Sequence, residues 1–136
     1  MSYQAASSAA RAYQSAGAHG RVADADPHRL VQLLLEGALD RLAIARGHLT
    51  AGRIAQKGET LSRAIAIVDS LNAHLDLERG GEIAANLRGL YDYSTRRLLE
   101  ANLRNDAAGI EEVAGLLREI KSGWDAIAPG ATGSAG

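Results

Sequence analysis

The stretch from Glu82 to Asp106, EIAANLRGLYDYSTRRLLEANLRND, constrains the fold more than any other part of this 136-residue chain. Its apolar positions recur at alternating steps of three and four, the spacing that places side chains on one face of an α-helix. These positions are Ile83, Leu87, Leu90, the small Ser94, Leu98 and Ala101. Because Tyr91, Leu99 and Leu103 lie beside this face, the apolar surface is wider than one partner helix needs. The stretch therefore predicts a helix with two helical neighbours.

Three further segments carry a helical pattern with recognisable ends. Asp26-Pro27 is a helix-start signal, and Gly52 ends the helix that follows it. The double glycine Gly80-Gly81 predicts a tight turn before the central helix, and Asp106 can cap a last one. The expected helices span about 27–50, 54–78, 82–104 and 107–127. Because the connections are short, the chain predicts an all-α fold, an antiparallel up-down four-helix bundle over residues 26–128.

The two ends of the chain have a different composition. Residues 1–25 are rich in Ala, Ser and Gly and predict a mobile N-terminal arm. Tyr3, Ala6, Ala10 and Tyr13 share a helical face, so the arm has the pattern for a short helix if an apolar surface receives it. Tyr13 has no local core and is interpreted as a removable lid over a groove. Residues 129–136 are expected to be a disordered tail.

The first two helices of the bundle each carry a second apolar stripe. In the first helix the core stripe is Val31, Leu34 or Leu35, Ala38, Leu42, Ala45 and Leu49, and the second stripe is Leu30, Leu33, Gly37 and Ile44. In the next helix the corresponding sets are Leu61, Ile65, Val68, Leu71 or Asn72 and Leu75, and then Ala64, Ile67, Leu71 and His74. Surplus apolar surface indicates deeper burial, self-association or a partner, and any one of these residues is equally well ordinary core. Gly37 at mid-helix predicts close approach of another backbone, from this chain or a foreign one.

Charge and composition argue against several classes of protein. The formal net charge is −1 and the basic residues are mixed with acidic ones, so no basic face for nucleic acid is visible. Glu100 lies four residues from both Arg96 and Arg104, and Asp92 lies four residues from Arg96, which predicts ion pairs on the helix surface. The absence of cysteine and of a signal-peptide pattern agrees with a cytoplasmic location. With no run of about 18 apolar residues, membrane insertion is not expected.

Motifs for catalysis are also absent from the sequence. A carboxylate-bridged metal site in a helix bundle needs Glu-x-x-His pairs, and no glutamate of this chain has a histidine three residues later. The four histidines are widely separated, and neither a G-x-S-x-G motif nor a glycine-rich phosphate loop is present. We therefore expect no enzymatic activity, no catalytic residues, no cofactor and no metal site, which leaves a di-metal oxidase as a remote alternative.

Particular strings of residues carry more information than periodicity does. They are Ala12-Tyr13, DPHRLVQLLLEGAL (26–39), LSRAIAIVDSLNAHLD (61–76), LYDYSTRRLLEANLRND (90–106) and EEVAGLLREIKSGW (111–124). From about residue 10 to Trp124 the chain resembles the FliS family of flagellin-specific export chaperones. One departure is Leu35, where many members carry an aromatic residue, and the tail after Pro129 has no family signal.

The resemblance implies a non-enzymatic cytoplasmic chaperone with an antiparallel four-helix bundle. Such proteins bind the disordered C-terminal segment of flagellin, prevent its premature polymerisation and deliver it to the flagellar type III export apparatus. In the family, the N-terminal tyrosine that Tyr13 matches can cover part of the client groove in the free state.

A segment that folds as it binds needs a long apolar track, which the second stripes supply. The expected client groove is formed by Leu30, Leu33, Gly37, Ala64, Ile67, Leu71 and Tyr91, with Tyr13 as its lid. The alternative is a structural bundle that forms a homo-oligomer through its surplus apolar stripes. The free chaperone is expected to be a monomer or a weak homodimer.

Overall fold

The computed structural model describes residues 11–13 and 26–127, and this part of the chain contains four helices and no strand. The helices are α1 (Pro27–Thr50), α2 (Ile54–Ala73), α3 (Leu77–Arg104) and α4 (Ala107–Ala126). Each helix packs on the next, and α4 packs back on α1, so the four helices close into a bundle. The predicted all-α four-helix bundle is confirmed. The rest of the predicted arm and the predicted tail at 129–136 lie outside the described residues.

Aspartates mark the helix starts where the sequence predicts them. The side chain of Asp26 accepts a hydrogen bond from the backbone N–H of Arg29 at 2.8 Å, with Pro27 in the first helical position. The side chain of Asp106 accepts one from the backbone N–H of Ala108 at 3.0 Å. Each bond satisfies one of the N–H groups that have no partner within the helix. Both caps thus agree with the prediction.

The connection between α2 and α3 differs from the prediction. α2 ends at Ala73 rather than near residue 78, and the chain turns at 74–76. Asp76 caps α3 by accepting from the backbone N–H of Arg79 at 3.0 Å. Gly81 therefore lies inside α3, where φ 54° and ψ −130° produce a kink instead of the predicted turn. The glycine still supplies the positive φ that other residues rarely adopt, but within a helix.

Side-chain contacts show that neighbouring helices run antiparallel. His28 at the start of α1 contacts Trp124 at the end of α4, and Arg46 near the end of α1 pairs with Glu111 near the start of α4 at 2.6 Å. The start of α2 likewise lies against the end of α3, because the Lys57 ammonium donates a hydrogen bond to the backbone carbonyl of Asn102 at 2.8 Å.

Lys57 is buried, with 2% of its surface exposed, and the sequence analysis did not identify it. Its Nζ donates to both the backbone oxygen and the Oδ1 of Asn102, at 2.8 and 2.6 Å. That backbone oxygen is one of the last in α3, where no helical N–H follows to bond it. A positive charge at this position also interacts favourably with the negative end of the α3 helix dipole. Lys57 therefore ties α2 to α3, and no carboxylate in residues 11–13 or 26–127 pairs with it.

The core confirms the predicted stripe of α1 and changes the predicted stripes of α2 and α3. On α1 the buried residues are Val31, Leu35, Ala38, Leu42 and Ala45. On α2 the core includes Ala64 from the second stripe and Leu71, which was predicted in both stripes, whereas Ile65 is only half-buried. On α3 Tyr91 is buried, with its hydroxyl bonded to that of Tyr13, whereas its neighbour Leu90 is exposed.

The predicted ion pairs of Arg96 and Arg104 are not formed within the described residues. Glu100 instead pairs with Arg97 at 3.1 Å. Arg97 also pairs with Glu112 and Asp106 of the α4 side, at 2.8 and 3.2 Å, and so joins α3 to α4. The Arg97 guanidinium lowers the pKa of Asp106.

Within the described ranges, no helix has both the length and the apolar composition that a membrane span requires.

Candidate functional site

Tyr13, from the segment before α1, is buried between helices of the bundle. Only 1% of its surface is exposed, and its hydroxyl donates a hydrogen bond to the Tyr91 hydroxyl of α3 at 2.9 Å. The Tyr13 ring packs edge-on against the Trp124 ring, with centroids 5.6 Å apart and planes at 82°. Edge-to-face aromatic packing of this kind is favourable beyond the burial of surface. Tyr13 is therefore a member of the core that comes from outside the four helices.

Trp124 is itself held by His28 at the start of α1. The two rings are stacked with centroids 4.7 Å apart and planes at 9°. The Trp124 indole N–H donates to the His28 backbone oxygen at 3.0 Å, and His28 Nε2 lies 2.7 Å from the Trp124 backbone oxygen. Because a carbonyl oxygen only accepts, Nε2 carries the proton in this contact. The pair fixes the ring against which Tyr13 packs.

The backbone before Tyr13 is docked on the turn between α2 and α3. The carbonyl of Ala12 accepts a hydrogen bond from the backbone N–H of Asp76 at 2.6 Å. Gly80 lies directly beneath, and a Cβ added to it would be 2.8 Å from the Ala12 Cα and 2.6 Å from the Ala84 Cβ. Glycine is therefore required for this close approach, which the sequence analysis did not predict.

An apolar cavity of about 170 Å³ remains beside the Tyr13 ring, open on one side. The three aromatic side chains line it together with aliphatic side chains of α1, α3 and α4, namely Val31, Leu35, Ile83, Leu87, Ile120 and Ile127. Glu119, which is exposed, lies at its edge. The "tyrosine seat" denotes this cavity together with Asp76, Gly80, Tyr91 and Trp124. Tyr13 thus occupies an apolar slot without filling it.

Burial fixes the protonation state of the two tyrosines in the seat. It raises the pKa of Tyr91 to about 12 and raises the pKa of Tyr13 as well, since a phenolate would lose its hydration there. Both hydroxyls are therefore neutral near pH 7. The buried polar groups of the slot are therefore neutral hydroxyls, which can donate and accept a hydrogen bond.

A larger depression of about 340 Å³ lies between α1 and α4 but has a different character. Glu111 crosses it, pairing with Arg46 at 2.6 Å and with Arg118 at 2.7 Å. The two arginines lower the pKa of Glu111, Arg118 more than Arg46. These ion pairs are exposed and cross a depression whose other walls include Leu39, Leu42 and Ile110, so charged groups lie over its apolar residues.

The predicted groove residues separate into three groups by burial. Leu33 is 44% exposed, whereas Leu30, Gly37 and Ile67 are half-buried on the same side of α1 and α2. Ala64, Leu71 and Tyr91 are buried in the core. A Cβ on Gly37 would lie 3.5 Å from the Ile67 Cδ1, an ordinary contact, so the predicted close approach of a backbone is not needed within the described residues.

The structure also exposes apolar residues outside the predicted groove. Ile44 is exposed on the face of α1 that carries Leu33 and Gly37, where the eleven-residue step from Leu33 indicates the same side. Leu99 and Leu103 are 54% and 83% exposed near the carboxyl end of α3, on a face that the sequence placed beside the stripe.

Comparison with known proteins finds a matching family model and several similar proteins. A family model described as flagellar protein FliS matches residues 9–131. The chain is 51% identical over 123 residues to the flagellar secretion chaperone FliS of Salmonella typhimurium, covering 90% of this chain and 91% of that protein. It is 50% identical over 119 residues to the flagellar secretion chaperone FliSB of Pseudomonas aeruginosa, covering 88% and 94%. The Bacillus subtilis FliS is 32% identical over 100 residues, which cover 74% of each chain.

Proposed function

This chain belongs to the FliS family, and from that membership we propose that it is a secretion chaperone for flagellin. Its client is the disordered C-terminal segment of flagellin, which it keeps from polymerising before export. It acts by binding alone, as a non-enzymatic protein of the cytoplasm, and it takes neither cofactor nor nucleic acid. The flagellar type III export apparatus is the second partner, to which the loaded chaperone delivers its client.

The client surface that we propose runs along α1 and α2. Leu30, Leu33, Gly37 and Ile67 form its reachable part, because each is exposed or half-buried. Ala64 and Leu71 lie beneath them in the core and would support the surface rather than contact the client. An amphipathic segment reads such a surface through anchors spaced three and four residues apart. The track suits a chain that becomes helical as it binds.

The observation that carries the proposal is the position of Tyr13. A residue that belongs to none of the four helices occupies an apolar slot of the bundle, and a cavity of about 170 Å³ remains empty beside it. A client that fills the slot more completely gains contacts that Tyr13 does not make. We therefore propose that Tyr13 is a lid and that Tyr91 becomes a client contact once Tyr13 has left the seat.

The exposed leucines of α3 favour a second candidate function, a homo-oligomer without a client. Leu99 and Leu103 form an apolar face that no described part of the chain covers. Monomeric proteins seldom leave large apolar patches uncovered. Light scattering separates the two functions: the chaperone is a monomer or weak homodimer that forms a one-to-one complex, whereas a stable oligomer that the client does not dissociate would favour the alternative.

Titration calorimetry with a synthetic peptide from the C-terminal segment of flagellin tests the proposal. We expect a one-to-one complex at micromolar concentrations, with a negative heat-capacity change because apolar surface is buried. A peptide of the same composition in scrambled order is the control, since it retains the charge but loses the anchor spacing. Absence of heat with the native peptide, or equal heat with both, would contradict the proposed function.

A further inference from the structure

The tyrosine seat makes three distinct contacts with the residue pair Ala12-Tyr13. The Asp76 N–H binds the Ala12 carbonyl at 2.6 Å, and Gly80 leaves room for the Ala12 backbone. The third contact joins the hydroxyls of Tyr13 and Tyr91 at 2.9 Å. The Asp76 contact therefore recognises a backbone carbonyl, and the position against Gly80 requires a small residue. The Tyr91 contact requires a hydrogen-bonding group at the end of the side chain.

Displacement of Tyr13 alters the hydrogen bonding of Tyr91. Tyr91 is 1% exposed, and its hydroxyl loses the Tyr13 partner when the lid leaves. A buried polar group without a partner is unfavourable, and this penalty is avoided only if the incoming side chain offers a hydrogen bond. A purely apolar client side chain such as Phe or Leu would fill the slot but leave the Tyr91 hydroxyl without its hydrogen-bond partner.

The walls of the slot define the other properties that the client residues must have. Aliphatic side chains and the edge of the Trp124 ring line it, so the body of the anchor must be apolar. The residue before the client side chain must be small, because the Ala12 side chain is fully buried. Gly80 allows the backbone of that residue to approach α3 closely. The combination describes a small residue followed by a tyrosine-like residue.

We propose that the seat is a specificity site, in which the client replaces Ala12-Tyr13 with a matching pair: a small residue followed by a side chain with an apolar body and a hydrogen-bonding tip. The inference deepens the proposed function and rests on it for the identity of the client. Tyr91 is the specificity-determining residue, and Gly80 permits the close approach of the client backbone. The lid and the client therefore compete for the seat with the same chemistry.

Side-chain analogues test the slot in the full chain without flagellin. In Tyr13→Ala the empty slot is titrated with p-cresol, the analogue of tyrosine, and with toluene, the analogue of phenylalanine. Trp124 fluorescence and the shift in Tm report binding, because a ligand of the native state stabilises it by mass action. We expect p-cresol to bind more tightly, and the ratio of the two affinities to fall about tenfold in Tyr13→Ala/Tyr91→Phe, the loss of one hydrogen bond to a buried group.

A control and an alternative experiment accompany the titration. Leu117→Ala opens a cavity among apolar core residues and should not favour p-cresol. If Tyr13→Ala does not fold, the double-mutant cycle of Tyr13→Phe and Tyr91→Phe in otherwise native chain replaces it. In that cycle we expect the second substitution to shift Tm much less than the first, because the bond is already lost.

The outcomes distinguish the specificity site from the proposed chaperone function. An affinity ratio unaffected by Tyr91→Phe, or strictly additive Tm shifts in the cycle, would overturn the specificity site while calorimetry with flagellin peptide still supports the chaperone. Conversely, failure of flagellin peptide to bind would contradict the proposed function and leave the preference for p-cresol standing. Substitution of Tyr91 that abolishes the p-cresol preference, together with weaker binding of flagellin peptides lacking a small-tyrosine pair, supports the inference.

Discussion

The hydroxyl of Tyr13 donates to the hydroxyl of Tyr91, 78 positions later in the chain, at 2.9 Å. This bond joins a segment outside the bundle to the middle of its longest helix, α3. Both side chains are buried, so the bond is shielded from water and each hydroxyl depends on the other. The state of this pair distinguishes a closed seat from an open one.

Removal of the lid should reduce stability and increase affinity together. Tyr13→Ala deletes a buried ring, so we expect the free energy of unfolding to fall by about 3 kcal/mol while the helices remain. Client peptide should bind severalfold more tightly, because no lid competes for the slot. Urea unfolding followed by circular dichroism and titration calorimetry measure the two effects.

Tyr93→Ala is the matched control, since this tyrosine of α3 is exposed. It should leave the affinity for the client unchanged. An unchanged affinity in Tyr13→Ala would instead make Tyr13 a structural residue without a lid function.

High pH should open the seat. The ordinary pKa of tyrosine is about 10, whereas burial raises the pKa of Tyr91 to about 12 and that of Tyr13 also upwards. The unfolded chain therefore loses these protons first, so the stability contributed by the pair is complete below about pH 10 and lost as pH rises towards about 12. Urea midpoints measured across this range should fall more steeply in the native chain than in Tyr13→Phe/Tyr91→Phe. Parallel curves would show that other groups control alkaline unfolding.

A charge on the client surface should weaken binding without unfolding the bundle. Leu33 is 44% exposed, so Leu33→Asp should change the free energy of unfolding by less than about 1 kcal/mol. We expect a loss of client affinity of about tenfold, because a carboxylate would lose water in the complex. Leu103→Asp, on exposed α3 surface, is the control and should bind normally. The reverse result, with only Leu103→Asp impaired, would place the client on α3.

His28 should control how firmly Tyr13 is held. His28→Ala removes the ring stacked on Trp124 and the contact with its backbone oxygen. The only tryptophan of the chain reports the change directly, so we expect a red-shifted emission and faster acrylamide quenching. His28→Gln keeps a donor for the backbone oxygen and should be intermediate. An unchanged emission spectrum in His28→Ala would show that Trp124 is positioned by the core alone.

Local signals in the sequence predicted most of the fold. Asp26, Pro27, Gly52 and Asp106 act within a few residues of their own position, and the three-four spacing identified the core side of α1. The turn predicted at Gly80-Gly81 is a kink: Gly81 interrupts the helical backbone there, but the turn between α2 and α3 lies at 74–76. A glycine with positive φ fits a turn and a helix kink equally well. The cap by Asp76 decides between them, and its backbone N–H is also bonded to Ala12, far away in sequence.

The candidate site was harder to predict because its contacts are long-range. Periodicity divides a helix into faces but does not say which apolar face meets the core, so Ala64 and Leu71 were assigned to the client surface and are buried. The sequence identified Tyr13 as unusual but gave no partner for it. The requirement for Gly80 depends on a backbone that crosses it, which no pattern within α3 reveals.

The contacts between α1 and α4 have a consequence for synthesis on the ribosome. The four-helix bundle closes only when His28 and Arg46 of α1 meet Trp124 and Glu111 of α4, which are synthesised later. A nascent chain that has not yet released α4 lacks one wall of the slot that holds Tyr13. Vectorial translation therefore delays formation of the tyrosine seat until α4 has left the ribosome.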